Sequence, residues 1–238
     1  MLSAIDRIVF PLDMPTARAA RPFIKKLMNN VGMFKVGLEL FVAEGPDFIR
    51  EIREKDIKVF LDLKLHDIPV TVERTCERVA ALNVEFLTVH CGENKEMLAA
   101  AVKGAGNTRI LGVTVLTSVS KKHLHDSGYA IDWLVDITKL AQKRAKTAKS
   151  AGCPGVVCSG KDVAAIKAFC GRDFITMVPG IRPAWYAARD DQERIVTPAQ
   201  AIHSGADYLV IGRPIRDAKD PVETVKRIAD EIEATLST

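Results

Sequence analysis

The chain has 238 residues, 47% hydrophobic and 27% charged, with a formal net charge of +4. That is enough for a sizeable core in one large domain or two small ones. The mild positive charge argues against a dedicated nucleic-acid binder and is compatible with an anionic small substrate. No apolar run approaches the roughly 18 residues of a membrane span. Asp6 and Arg7 fall where a secretory signal would be apolar. The 5 cysteines (Cys76, Cys91, Cys153, Cys158 and Cys170), with no CxxC pair, read as free thiols of a reducing cytoplasm.

In chain order, the first apolar run covers residues 8–12 and ends at Asp13. A helix is expected over 17–28, and Pro22 within it predicts a kink or a late start. The second run, 33–36, carries Lys35. Gly45-Pro46 opens a helix bearing Phe48, Ile49 and Ile52. The third run, 58–63, leads into Asp62-Leu63-Lys64-Leu65-His66-Asp67. Asp67, shortly before Pro69, is placed to cap a helix carrying Val72, Cys76, Val79 and Ala80. Further runs cover 86–90 and 110–116. Residues 138–150 are basic, through Lys139, Lys143, Arg144, Lys146 and Lys149. The apolar spacing Trp133, Leu134, Ile137, Leu140, Ala141 continues into them, so they read as the solvated face of an amphipathic helix. Interleaved aromatics of a single-strand binder are missing. Runs at 155–158, 175–178 and 208–211 follow. Thr197-Pro198-Ala199-Gln200 and Asp220-Pro221-Val222-Glu223 each combine an N-cap, a proline at the first helical position and a capping-box partner.

Eight Val/Ile/Leu-rich runs alternating with helical patterns fit a single-domain (β/α)8 TIM barrel over residues 1–238. The alternative is an open doubly wound sheet. It is disfavoured because no GxGxxG follows the first run and no GxxxxGK[ST] occurs.

Barrel enzymes draw catalytic groups from the C-terminal ends of strands. Those ends carry Asp13, Lys35, residues 62–67, His90, Thr117, residues 179–182, and Gly212-Arg213. The period of two puts Asp62 and Lys64 on one strand face, with Lys35 on the neighbouring strand. Two acids and two lysines at close quarters favour each other's charged forms. The residues alone leave two readings open: a catalytic centre, or an ion-pair network that closes the barrel mouth, with Asp67 an N-cap. Gly212 and Arg213 suit close approach of backbone and guanidinium to a phosphate. The long polar loop 180–195, with Arg182, Arg189, Gln192 and Arg194, reads as a lid or as a mobile surface loop. His123 and His125 lack a third ligand, so no metal site is expected. His90 reads as a satisfied barrel histidine, and Ser118 and Ser159 lack a GxSxG elbow.

Taken together, several blocks resemble one family. They are FLDLKLHDIP at 60–69, KVGL from Lys35, VTVLTS from Val113, GVVCS from Gly155, VPGIRP from Val178 and VIGRP from Val210. In this order they resemble orotidine 5'-phosphate decarboxylase in its bacterial form. The resemblance implies a dimeric barrel that converts orotidine 5'-phosphate to UMP and carbon dioxide without metal or cofactor. By that resemblance Lys64 protonates C6 of the pyrimidine, Asp62 lies near the departing carboxylate, and Asp67 with Thr71 serves the neighbouring subunit's site. Asp13 and Lys35 hold the ribose and Thr117 reads the pyrimidine edge. Arg182, Gln192, Gly212 and Arg213 bind the phosphate, and Pro179 lines the pocket. Metal-dependent sugar-phosphate relatives share Asp62-x-Lys64-x-x-Asp67 but carry a glutamate ligand where this chain has Lys35. They remain the alternative. No nucleic acid or membrane partner is expected, and the location expected is cytoplasmic.

Overall fold

The apolar runs become parallel strands: β1 (Ile8–Pro11), β2 (Met33–Gly37), β3 (Val59–Leu65), β4 (Phe86–His90), β5 (Arg109–Val113), β6 (Gly155–Val157), β7 (Ile175–Val178) and β8 (Tyr208–Val210). They pair in sequence order and β8 returns to β1, which closes a barrel. The computed structural model describes residues 2–92, 94–186 and 195–237. The strands lack polar alternation because both faces are covered. Val9, Met33, Phe60, Phe86, Leu111, Met177, Tyr208 and Val210 fill the barrel interior. Phe60 meets Phe86 edge to face at 6.2 Å. The alternate residues, among them Ile8, Phe10, Phe34, Leu61 and Leu87, pack outward with the helices.

The helices are α1 (Ala17–Leu27), α2 (Leu38–Arg53), α3 (Pro69–Ala80), α4 (Lys95–Gly104), α5 (Lys121–Asp126), α6 (Ile131–Val135), α7 (Ile137–Ser150), α8 (Val163–Cys170), α9 (Pro198–His203), α10 (Arg213–Arg216) and α11 (Pro221–Leu236). Thr16 caps α1, and the helix starts at Ala17 and continues past Pro22, so the expected late start does not occur. Ala17, Ala20, Ile24 and Leu27 are buried while Pro22 is exposed. The hydrogen bond that proline removes therefore lies on the solvent side, where water can replace it. Gly45, at φ 68°, breaks α2 where Gly45-Pro46 predicts a new start.

The amphipathic stretch divides differently from expectation. Asp136 leaves helical geometry and accepts a bond from the Thr138 N–H, which separates α6 from α7. Within α7, Leu140, Ala141, Ala145 and Ala148 are buried. Lys139, Lys143, Lys146 and Lys149 are exposed, as the periodicity predicts, but Arg144 departs from the solvated face: it is half-buried and donates to the Thr114 carbonyl and the Tyr129 hydroxyl. Thr197 and Gln200 form the expected capping box on α9. On α11, Asp220 Oδ1 accepts from the N–H groups of both Val222 and Glu223.

Candidate active site

The site is built at the C-terminal end of β3, where the ladder to β4 slips. Leu61 pairs with Leu87, and the next pair is Leu65 with Val89. Three residues of β3 (Asp62, Leu63 and Lys64) thus stand against one of β4, Thr88. Lys64 takes a left-handed backbone, φ 51°. This conformation costs a non-glycine residue about 1–2 kcal/mol, and such a bulge re-aims side chains at a barrel rim. Thr88 holds it. The Lys64 N–H donates to Thr88 Oγ1 at 2.8 Å, and that hydroxyl donates to Asp62 Oδ1 at 2.9 Å. Phe60, Asp62 and Lys64 all line one cavity, so the shared face expected from the period survives the bulge.

The charges form a connected chain. Lys64 Nζ donates to Asp62 Oδ2 at 2.7 Å. Lys35 Nζ lies 3.5 Å from the same oxygen and 3.1 Å from Asp13 Oδ1. A side chain at Gly37 would place its Cβ 3.3 Å from Lys35 Nζ, so glycine leaves that ammonium its room. Burial by itself pushes the Asp62 carboxyl up. The charges of Lys35 and Lys64, with hydrogen bonds from Lys64 and Thr88, outweigh burial and hold it below the ordinary carboxylate value.

The cavity is about 300 Å³. Asp62, Lys64, Lys35 and Asp13 line one part of it. Val115, Leu116 and Thr117, from the segment after β5, also line it. That strand ends at Val113, earlier than expected. The Thr114 N–H and hydroxyl both donate to the Val157 carbonyl, and the chain then turns to bring Thr117 to the cavity. Pro179, Gly180, Arg182, Gly212 and Arg213 contribute from the segments that follow β7 and β8. Arg182 is buried and its Nη1 donates to the Ile181 carbonyl. A bridge between Ile181 and Val196 ties the two ends of the following loop together. Asp13, Lys35, Asp62, Lys64, Thr117, Pro179, Arg182, Gly212 and Arg213 therefore converge as the sequence predicts.

Asp67 and Thr71 do not join them. Both are exposed, and neither lines the cavity. Asp67 does not cap α3 either; the cap position is Ile68, whose own N–H donates to Asp67 Oδ1 at 2.7 Å. Gln192, Arg189 and Arg194 lie outside the described residues. His90 packs against His66, with ring centroids 5.5 Å apart, and does not line the cavity. His123 completes a capping box with Ser120.

Sequence reasoning missed two residues. Thr88 looks like any β-branched strand residue, and its role depends on cross-strand register. Arg216 lines the cavity and pairs with Asp217 at 2.7 Å. Its spacing of three from Arg213 along the chain was the available signal.

Residues 6–228 match the model of the Orotidine 5'-phosphate decarboxylase / HUMPS family. A protein of Desulfosudis oleivorans named orotidine 5'-phosphate decarboxylase is 50% identical over 97% of this chain and 94% of its own length. One of Anaeromyxobacter sp. (strain K), with the same name, is 47% identical over 94% of this chain and 97% of its own. A crystal structure of orotidine 5'-phosphate decarboxylase from Lactobacillus acidophilus superposes with a TM-score of 0.83 at 33% identity. It covers 94% of this chain and 98% of that one.

Proposed function

The chain belongs to the Orotidine 5'-phosphate decarboxylase / HUMPS family, and on that premise we propose that it decarboxylates orotidine 5'-phosphate to UMP and carbon dioxide, the last step of UMP biosynthesis. The observation that carries this reading is the Lys64 ammonium, held 2.7 Å from the Asp62 carboxylate in a cavity that Arg182 and Arg213 also line.

Breaking the C6–carboxylate bond releases neutral carbon dioxide and leaves its electron pair on C6, which has no conjugated sink. The Lys64 ammonium provides a fixed positive charge there, in a partly buried cavity, where it acts more strongly than in bulk solution. The same group then gives its proton to C6, and the resulting amine is reprotonated from solvent. Asp62 holds the Lys64 ammonium in place through the 2.7 Å hydrogen bond. Asp13 and Lys35 hold the ribose hydroxyls, Thr117 reads the pyrimidine edge and Pro179 lines the pocket. Gly212, Arg213 and Arg182, with Gln192 from the loop, bind the phosphate. Binding energy gained at that remote group can be used at the reacting carbon.

The working unit is a homodimer in which Asp67 and Thr71 enter the partner's site. Asp67 and Thr71 are exposed in a single chain, and so are the apolar Ile68 and Val70 beside them. Apolar groups left together at the surface favour a protein partner. Residues 1–238 act as one barrel domain. The location is cytoplasmic, a reading supported by 5 free, buried cysteines.

The metal-dependent lyase of the same barrel is the weaker reading. Asp62 Oδ2 already faces two ammonium groups, and a divalent cation there would be repelled by both. An absorbance assay following loss of orotidine 5'-phosphate, with and without chelator, tests the proposal. Turnover indifferent to chelator is expected. Absence of turnover, or its loss on chelation, would overturn the reading.

A further inference from the structure

We propose that Thr88 is a positioning residue of the decarboxylation centre, whose single hydroxyl fixes both the carboxylate of Asp62 and the backbone that aims Lys64. The proposal rests on the decarboxylase reading for its kinetic consequence and on geometry for the residue itself.

The hydrogen-bond inventory settles how the hydroxyl is used. A threonine hydroxyl has one proton to give and two lone pairs. The Lys64 N–H, 2.8 Å away, can only donate, so Oγ1 must accept there. An ionised carboxylate can only accept, so the Thr88 proton goes to Asp62 Oδ1 at 2.9 Å. Asp62 is then divided: Oδ1 faces Thr88, while Oδ2 takes Lys64 Nζ at 2.7 Å with Lys35 Nζ at 3.5 Å. Rotation of the carboxylate would break both halves at once.

The same hydroxyl substitutes for the ladder bond that the bulge removes. Between the pairs Leu61–Leu87 and Leu65–Val89 the regular pattern fails, and the left-handed Lys64 turns its N–H to the threonine side chain. Thr88 is fully buried, so water cannot take its place there. Its β-branched side chain has few rotamers, which keeps the oxygen where both partners need it. An inward threonine that only filled space would gain nothing from its hydroxyl over a valine. Here the hydroxyl bridges two groups of the site, one side-chain and one backbone.

The test compares Thr88→Val, which keeps the shape, with Thr88→Ser, which keeps the hydroxyl. For Thr88→Val, kcat on orotidine 5'-phosphate is expected to fall at least about tenfold, because a buried donor and a buried acceptor both lose their partner. KM is expected to stay within about threefold, since the phosphate groups are untouched. The acid limb of the kcat–pH profile should move to higher pH, as Asp62 loses a hydrogen bond to its charged form. In the unligated protein the Lys64 backbone amide should exchange with solvent faster. Thr88→Ser should restore most of each. Thr88→Ala serves as the hydroxyl-free variant if Thr88→Val does not fold.

Wild-type kcat, acid limb and Lys64 amide exchange in the hydroxyl-free variant would overturn the role. So would a serine variant as impaired as the valine one. If wild-type protein does not turn over orotidine 5'-phosphate, the decarboxylase reading fails instead. The amide exchange of Lys64 still decides whether Thr88 holds that backbone.

Discussion

Lys64 and Asp62, two residues apart on one strand, meet at 2.7 Å across a backbone bulge rather than along a regular strand edge. In the proposed reaction the pair combines a proton donor with a carboxylate that holds it in place. It needs Lys35 as well, because a single buried acid facing a single lysine would offer less opposition to the burial that pushes Asp62 up.

The titration of Asp62 follows from that balance. Asp62 is held below the ordinary carboxylate value, so its charge persists as pH falls through about 4. A group with a depressed folded-state pKa contributes stability that is present above its unfolded value and lost as pH falls through the folded one. An NMR titration of the Asp62 carboxyl in the unligated protein should therefore find it still ionised as pH falls to about 4. A midpoint above the ordinary carboxylate value would contradict this account of Asp62.

The phosphate end makes a different prediction. Replacing Arg213 by methionine should raise KM about 10- to 100-fold, the usual cost of a lost charge-assisted hydrogen bond. Binding of UMP, measured by calorimetry, should weaken in parallel. Unchanged UMP affinity would remove Arg213 from the phosphate site.

Subunit mixing tests the reach of Asp67. Lys64→Ala and Asp67→Ala homodimers should each be inactive. Mixed one to one and allowed to exchange, they should recover about a quarter of wild-type activity, because half the dimers are mixed and each holds one complete site. No recovery after confirmed exchange would place Asp67 in its own chain's chemistry or outside the reaction.

The thiols predict an alkaline effect. Burial pushes Cys76 and Cys153 up to about 12. A thiol kept protonated only in the folded state stabilises the fold less as pH rises above its unfolded value of about 8.5. Melting temperature should fall between about pH 9 and 11, and thiol reagents should react slowly until the protein unfolds. Rapid labelling of the native protein at neutral pH would be inconsistent with this burial.

Much of the barrel was legible because strands covered on both faces are mostly apolar, as residues 8–12 are. The charged strand ends were legible for the same reason: Lys35, Asp62 and Lys64 stand out against apolar strands. What stayed hidden depends on contacts between elements. The bulge is a matter of register between β3 and β4, so neither it nor Thr88 has a local signature. The continuation of α1 past Pro22 depends on which face meets solvent. Asp67 looked like a cap because aspartate before a proline often is one, but its backbone sits one residue too early.

The most direct test of the centre is Lys64→Ala under single-turnover conditions with orotidine 5'-phosphate, alongside UMP binding to the same variant. The rate should fall by roughly 10³-fold or more, since both the fixed charge and the proton donor are gone. UMP affinity should stay within about tenfold of wild type, because the phosphate contacts remain. A variant that binds UMP normally and still decarboxylates at close to the wild-type rate would contradict the role given to Lys64.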